Sequence, residues 1–252
     1  MVVTPPKPSL TQWMRIVSLC ILELIVLKLM FHVLLMGDFL LFMTDRDLQR
    51  ILGNSTTKVG HLSTKEIKEL NANHHRALKF HDVSIPSVED ALKLVSGSVR
   101  QVILDAKVGP PLFEKSLSKD IITAVENMKC NNCLVWAKSD SLVRDIMKQS
   151  ADIAIGYIVV MDPTTGTRTK LLRMRGAQVV GVYHPLIDEN LVKIVHRRKK
   201  KVYAWTVDEE IAMQKMLFEQ VDAVVTSNPT LFQRVMQGIR TECLEGGFSL
   251  SS

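Results

Sequence analysis

The chain has 252 residues, 46% of them hydrophobic, with a formal net charge of +6 and four cysteines. That length suffices for one sizeable core and is about what a (β/α)8 barrel occupies. The cysteines do not make a disulfide framework, and no nucleic-acid reader motif accompanies the positive charge, so a disulfide-stapled mini-domain and a nucleic-acid binder are both excluded.

Residues 1–12 hold Pro5, Pro6 and Pro8 and are predicted to be a disordered head. Residues 13–43 form a hydrophobic segment. From Ile16 to Leu35 its only polar or ionisable positions are Ser18, Glu23, Lys28 and His32, and roughly 20 mainly apolar residues suffice to cross a bilayer. Glu23 and Lys28 each cost about 2.5 to 3.5 kcal/mol at mid-span, while each Leu, Ile, Val or Phe returns about 0.3 to 0.6 kcal/mol. The favoured expectation is a single N-terminal hydrophobic helix that anchors the chain in a membrane. A cleaved signal and an apolar N-terminus lying in an interface or in the core are the alternatives. Lys7 and Arg15 precede the span, so the remaining domain is expected to be lumenal or extracytosolic.

Phe39 to Met43 is a short apolar run, predicted as a strand, ending in the polar Thr44-Asp45-Arg46-Asp47. Ser63 followed by Glu66 is a capping box. Alternation of helix and strand begins at Ile85, with Pro86 near a helix start and a strand from Val99 that stops at Asp105-Ala-Lys107. Helices are predicted at Leu117 to Met128, Asp140 to Gln149, Leu171 to Met174, Glu189 to Arg197 and Glu209 to Glu219. Strands are predicted at Cys133 to Ala137, Ile153 to Met161, Val179 to Tyr183, Lys201 to Asp208 and Val221 onward, with a turn-rich loop from Asp162 to Thr169. Six strands in β/α alternation favour a parallel, helix-wrapped sheet, in which the residues at strand ends build the site. Cys130 and Cys133 lack the further ligands of a zinc site and are expected to be a lumenal disulfide or two ordinary thiols. The basic run His196 to Lys201 is expected to be a solvated helix end.

The wording of several segments resembles the glycerophosphodiester phosphodiesterase family. Trp205-Thr-Val-Asp208 and Val221-Asp-Ala-Val-Val-Thr-Ser-Asn-Pro229 resemble its V-x-x-W-T-V-N and G-V-D-G-I-x-T-D-x-P strands. Asp45 to Arg50 followed by Gly53 is similar to H-D-x-x-L-x-R-x-x-G, Ile85 to Asp90 to I-P-T-L-x-E, and Ile103 to Lys107 to I-E-I-K. Leu134 to Asp140, Val180 to Pro185 and Thr241 to Glu245 are most similar to the membrane-anchored plant branch. The likeness spans roughly Asp45 to Glu245, and the partial barrel is assigned to residues 44–246 with a tail at 247–252.

The resemblance implies an α/β TIM-type barrel that hydrolyses glycerophosphodiesters to glycerol 3-phosphate and an alcohol in glycerolipid metabolism, using one divalent metal, calcium or magnesium, and two histidines. It implies Asp105 as a metal carboxylate, Lys107 as a phosphate-facing cation and Trp205 as the aromatic lining the glycerol pocket. Read without the family, Asp105 is a buried strand-end carboxylate paired with Lys107. His184 ends a strand at the site face and is a candidate for substrate contact, whereas His61, His74, His75 and His81 read as solvated loop residues.

The departures lie at the chemistry. No His-Arg-Gly triplet occurs, His75-Arg76 being followed by Ala77. The hydrophobic segment stands where the family's second strand supplies a Glu and an Asp. The second catalytic histidine position is Thr44, and Ser227 takes the place of an aspartate. The expectation is a barrel lacking the family's first two strands, with no catalytic histidine retained and no activity. The alternative is a truncated or spliced product acting at most as a binding protein.

Overall fold

The computed structural model describes residues 26–33 and 39–41 as backbone, residues 49, 56, 61, 62, 65 and 66, and then 87–108 and 116–245. The expected head, the tail, Thr44, Asp45, Ser63, Gly53, His74, His75 and His81 lie outside the described residues. Two compact units divide the chain, one formed by Ile25–Tyr157 and the other containing Ile158–Ser252.

In the first unit β1 (Val26–Val33) pairs in parallel with β3 (Gln101–Lys107), from Val26 opposite Gln101 to His32 opposite Lys107. A short β2 (Phe39–Leu41) turns back antiparallel on β1. This corrects the helix expected from Ile16 to Leu35, because across Val26–Val33 the chain is a strand. The physical reason is that a mainly apolar run without a helical or alternating period suits a strand of a parallel sheet as well as it suits a helix in lipid. Among the described residues no helix is long and apolar enough to cross a membrane.

The next elements follow the expected alternation. Ser87 opens α1 (Val88–Val95) with a capping box, its hydroxyl accepting from the Asp90 amide while the Asp90 carboxylate accepts from the Ser87 amide. After β3 come α2 (Leu117–Asn127), β4 (Cys133–Ala137), α3 (Asp140–Gln149) and β5 (Ala154–Val159). β3, β4 and β5 are parallel neighbours. All five residues of β4 are buried, including Trp136, which is why the strand reads as an unbroken apolar run. Cys130 and Cys133 are joined by a disulfide across the turn that enters β4. Within that turn the Asn132 side chain donates to the carbonyls of Ser96 and Val99, tying it to the turn before β3.

The second unit holds β6 (Val179–Tyr183), α4 (Glu189–His196), β7 (Lys201–Trp205), α5 (Glu210–Phe218), β8 (Ala223–Val224) and α6 (Pro229–Glu245). β6, β7 and β8 pair in parallel. Asp188 caps α4 by accepting from the Leu191 amide, and Asn228 accepts from the Leu231 amide at the start of α6. The helix expected at Leu171 to Met174 is instead a pair of turns. Four residues are too few to nucleate a helix alone, and the Arg173 guanidinium holds this segment by donating to the carbonyls of Ile158 and Lys170.

The basic run also departs from its expected role. His196, Arg197, Arg198 and Lys199 are exposed, but Lys200 is buried and its ammonium donates to the carbonyls of Arg175 and Ala177. Asp222, beside β8, accepts from the Val202 amide and pairs with His196 at 2.8 Å. These contacts lock α4, β7 and β8 together at the end where β7 begins.

Candidate active site

Site residues fall into two groups, one in each unit. In the first, Asp105 and Lys107 alternate along β3 and so point to the same face of it. Asp105 is 1% exposed, and its carboxylate meets the Lys107 ammonium at 2.8 Å. A carboxylate withdrawn from water in this way needs a charged or donating partner, and Lys107, partly open to solvent, supplies one. The ion pair is the arrangement that β3 gives when read without any family. On β1 the residue opposite Asp105 is Met30, so that register position offers no second carboxylate.

A divalent cation of the calcium or magnesium type needs several hard oxygen ligands. Among the described residues no group of three or more His, Cys, Asp or Glu side chains is placed to hold a metal ion, and Asp105 already faces an ammonium. The described residues therefore do not fit the metal that the resemblance implies.

The second group sits at the ends of β6 and β7. Tyr183, the last residue of β6, is paired in register with Trp205, the last of β7, and their rings lie 5.6 Å apart at a tilt of 44°. His184 follows Tyr183 directly, its ring set edge-on to the tyrosine with centroids 5.6 Å apart. Pro185 continues a short 3-10 turn, His184–Leu186, that holds the imidazole at the strand end. Burial lowers the His184 pKa from its ordinary value, as does the nearby Lys215 ammonium, with Glu209 and Asp208 opposing. The neutral imidazole that results can both donate and accept a hydrogen bond near pH 7.

The Trp205 indole N–H is buried and has no hydrogen-bond partner among the described residues. Indole nitrogen can only donate, so this group is a donor suited to an oxygen-bearing ligand such as a polyol. Past Trp205 the chain is fixed by Asp208, whose carboxylate accepts from the Thr226 hydroxyl at 3.0 Å and the Ser227 amide at 2.7 Å. Val207 adds an amide bond to the Val225 carbonyl. Ser227 cannot itself offer a carboxylate here, and the Asp208 carboxylate ties its loop to the one after β8. Asp208 is legible in the sequence as the carboxylate that ends the strand wording after Trp205, whereas its bonds to Thr226 and Ser227 are not.

Comparison with known proteins settles the family. Residues 36–231 match the model of the glycerophosphoryl diester phosphodiesterase family. The chain belongs to that family. It is 58% identical over 215 residues to the glycerophosphodiester phosphodiesterase GDPD4 of Arabidopsis thaliana, spanning 85% of this chain and 66%, just under two thirds, of that protein, in keeping with the plant branch. A glycerophosphodiester phosphodiesterase of Caldanaerobacter subterraneus is 25% identical over 179 residues, 69% of this chain and 71% of that one. Among solved structures, an Oleispira antarctica phosphodiesterase in complex with the product sn-glycerol-3-phosphate superposes with a TM-score of 0.67 at 16% identity, over 88% of this chain and 90% of that one. The putative glycerophosphodiester phosphodiesterase from Galdieria sulphuraria gives the same TM-score at 19% identity, over 87% and 89%. The α/β fold expected from the alternation is thus the one these phosphodiesterases share.

Proposed function

We propose that this member of the family binds glycerophosphodiesters, the substrates of a phosphoric diester hydrolase in glycerolipid metabolism, and that the 252-residue chain does not hydrolyse them at an enzymatic rate. In this reading Lys107 offers its ammonium to the phosphate, the Trp205 indole lines the glycerol and donates to one of its hydroxyls, and His184 contacts the ligand in its neutral form. The Arabidopsis relative, a glycerophosphodiester phosphodiesterase by name, and the Oleispira enzyme solved with sn-glycerol-3-phosphate support the substrate class. The finer architecture belongs to the same proposal: a TIM-type barrel without the family's first two strands, in which β1 takes the place beside β3.

The observation that carries the inactive reading is Thr44, which stands before Asp45 where the family has a proton-transferring histidine. A threonine hydroxyl does not titrate near neutrality, and each general acid or base is worth roughly 100- to 10,000-fold in rate. His184 directly follows β6, away from the family's histidine positions.

Purified chain incubated with glycerophosphocholine and glycerophosphoethanolamine is expected to release no glycerol 3-phosphate above the uncatalysed rate. Chelator-sensitive release would overturn the inactive reading. Calorimetry with sn-glycerol 3-phosphate is expected to show binding that weakens in Lys107→Met and Trp205→Phe; absence of binding would overturn the substrate class instead.

The Cys130–Cys133 disulfide supports an oxidising environment for the domain. Thiol labelling of the protein taken directly from its source tissue, with both cysteines blocked from reaction, is the expected result.

A further inference from the structure

Beyond β5 the chain builds a projecting hairpin. Met161 and Arg168 form an antiparallel bridge, the Asp162 amide donates to the Thr167 carbonyl, and the Thr169 amide donates to the Val160 carbonyl. Gly166 takes the positive φ of 65° that closes the turn. Every residue from Met161 to Arg168 is exposed. At the base Arg173 fastens the returning chain to the carbonyls of Ile158 and Lys170, so this is a structured projection.

Its composition is lopsided. From Met161 to Arg175 there are four cations, Arg168, Lys170, Arg173 and Arg175, and one acid, Asp162. Arg168 and Lys170 are exposed and make no ion pair among the described residues, whereas Arg175 lies beside Lys200 at the end where β7 begins and is not part of the hairpin surface. Asp162 is turned inward on the loop, accepting from the amides of Thr164 and Thr165. Beside these cations stand two exposed apolar side chains, Met161 at 41% and Leu172 at 37%.

We infer that this hairpin is a docking surface for an anionic phospholipid bilayer. Cations near such a surface are attracted to its negative potential, and apolar side chains interspersed among them enter the boundary between headgroups and acyl chains. A nucleic acid would meet the same charge but would leave Met161 and Leu172 in water. The segment also has no aromatic ring on which a base could stack. The hairpin follows the C-terminal end of β5, the strand end at which barrels of this fold carry their functional loops. The other basic run, Arg197, Arg198 and Lys199, is equally exposed but enters β7 at its N-terminal end. No large exposed apolar side chain adjoins it in sequence among the described residues, and it serves as an internal control.

The test is co-sedimentation of the full chain with phosphatidylcholine vesicles, with and without phosphatidylserine, at low and high salt. The wild type is expected to favour the anionic vesicles. Arg168→Glu/Lys170→Glu is expected to lower that partitioning at least about tenfold, and the milder double change to Gln replaces it if the reversed charges disturb folding as judged by circular dichroism. Met161→Ser/Leu172→Ser is expected to lose the binding that survives at high salt. Arg197→Glu/Arg198→Glu/Lys199→Glu is expected to bind as the wild type does. Lack of a preference for anionic vesicles, an unaltered hairpin charge variant, or an equal loss in the control would each overturn the proposal. So would wild-type binding by the Met161/Leu172 variant at both salt concentrations, which would point to a polyanion such as nucleic acid.

Discussion

The Lys107 ammonium closes on the Asp105 carboxylate at 2.8 Å, one group partly open to solvent and the other 1% exposed. Losing one partner of a fully buried pair costs about 3 to 5 kcal/mol. With Lys107 reaching water, screening reduces this, and Lys107→Met is expected to cost about 2 kcal/mol. Adding Asp105→Asn to Lys107→Met is expected to restore part of the loss, because the neutral amide no longer needs a cation. Urea denaturation of the two singles and the double gives the coupling; strict additivity would mean that the pair does not act as one.

This pair also shows what the sequence could and could not reveal. Strands β3 and β4 were legible because each is buried on both faces and so reads as an apolar run ending in polar residues. Trp205 and His184 were legible as strand ends for the same reason. The segment Val26–Val33 was not, since a mainly apolar run broken by Lys28 and His32 lacks the periodicity that separates a strand from a membrane helix. Lys200 was hidden in a run of cations because nothing local distinguishes the one lysine that meets two carbonyls. The helix Pro229–Glu245 went unassigned; its opening Ser-Asn-Pro continues the strand wording, yet Asn228 is its cap. In the family frame Asp105 is a metal carboxylate, whereas β3 alone gives the ion pair that the structure contains.

Lys200 offers a second measurement. Its ammonium satisfies the carbonyls of Arg175 and Ala177, and Lys200→Met would leave both without that donor. A loss of about 2 kcal/mol is expected, seen as a lower urea midpoint with an unchanged slope. Burial places the Lys200 pKa below the ordinary lysine value, so between that lowered value and the unfolded one the native state holds fewer protons than the unfolded state. The lysine's contribution therefore improves as pH rises through that alkaline window. The stability gap between wild type and Lys200→Met should widen there, and a constant gap would contradict the assignment.

Gln220 ends α5 in the left-handed region, with φ at 59°, its amide donating to the Leu217 carbonyl and that of Val221 to Met216. A non-glycine residue pays about 1 to 2 kcal/mol for that conformation, whereas glycine adopts it freely but gives up more chain entropy on folding. The net expectation for Gln220→Gly is a gain of about 0.5 to 1 kcal/mol and a melting temperature higher by about 2 °C. A lower melting temperature would show that the Gln220 side chain contributes more than its backbone costs.

Asp162 governs the acid side. The Thr164 hydroxyl and then the Thr165 and Thr164 amides hold its carboxylate in the ionised form, lowering the pKa from 3.8 to about 2. A carboxylate depressed in the native state stabilises above its unfolded pKa, and that contribution disappears as pH falls through the folded value. The window is therefore about pH 4 down to about pH 2. Asp162→Asn removes the titrating group, so the variant's stability should fall less steeply across that interval than the wild type's, while above pH 5 it should be the less stable of the two. Paired acid titrations followed by circular dichroism measure the difference, and parallel curves would show that the turn does not depend on the charge. Because the turn shapes the hairpin carrying Arg168 and Lys170, vesicle binding by Asp162→Asn at neutral pH is a further readout. It should weaken if the ordered projection is required, and persist unchanged if only the cations matter.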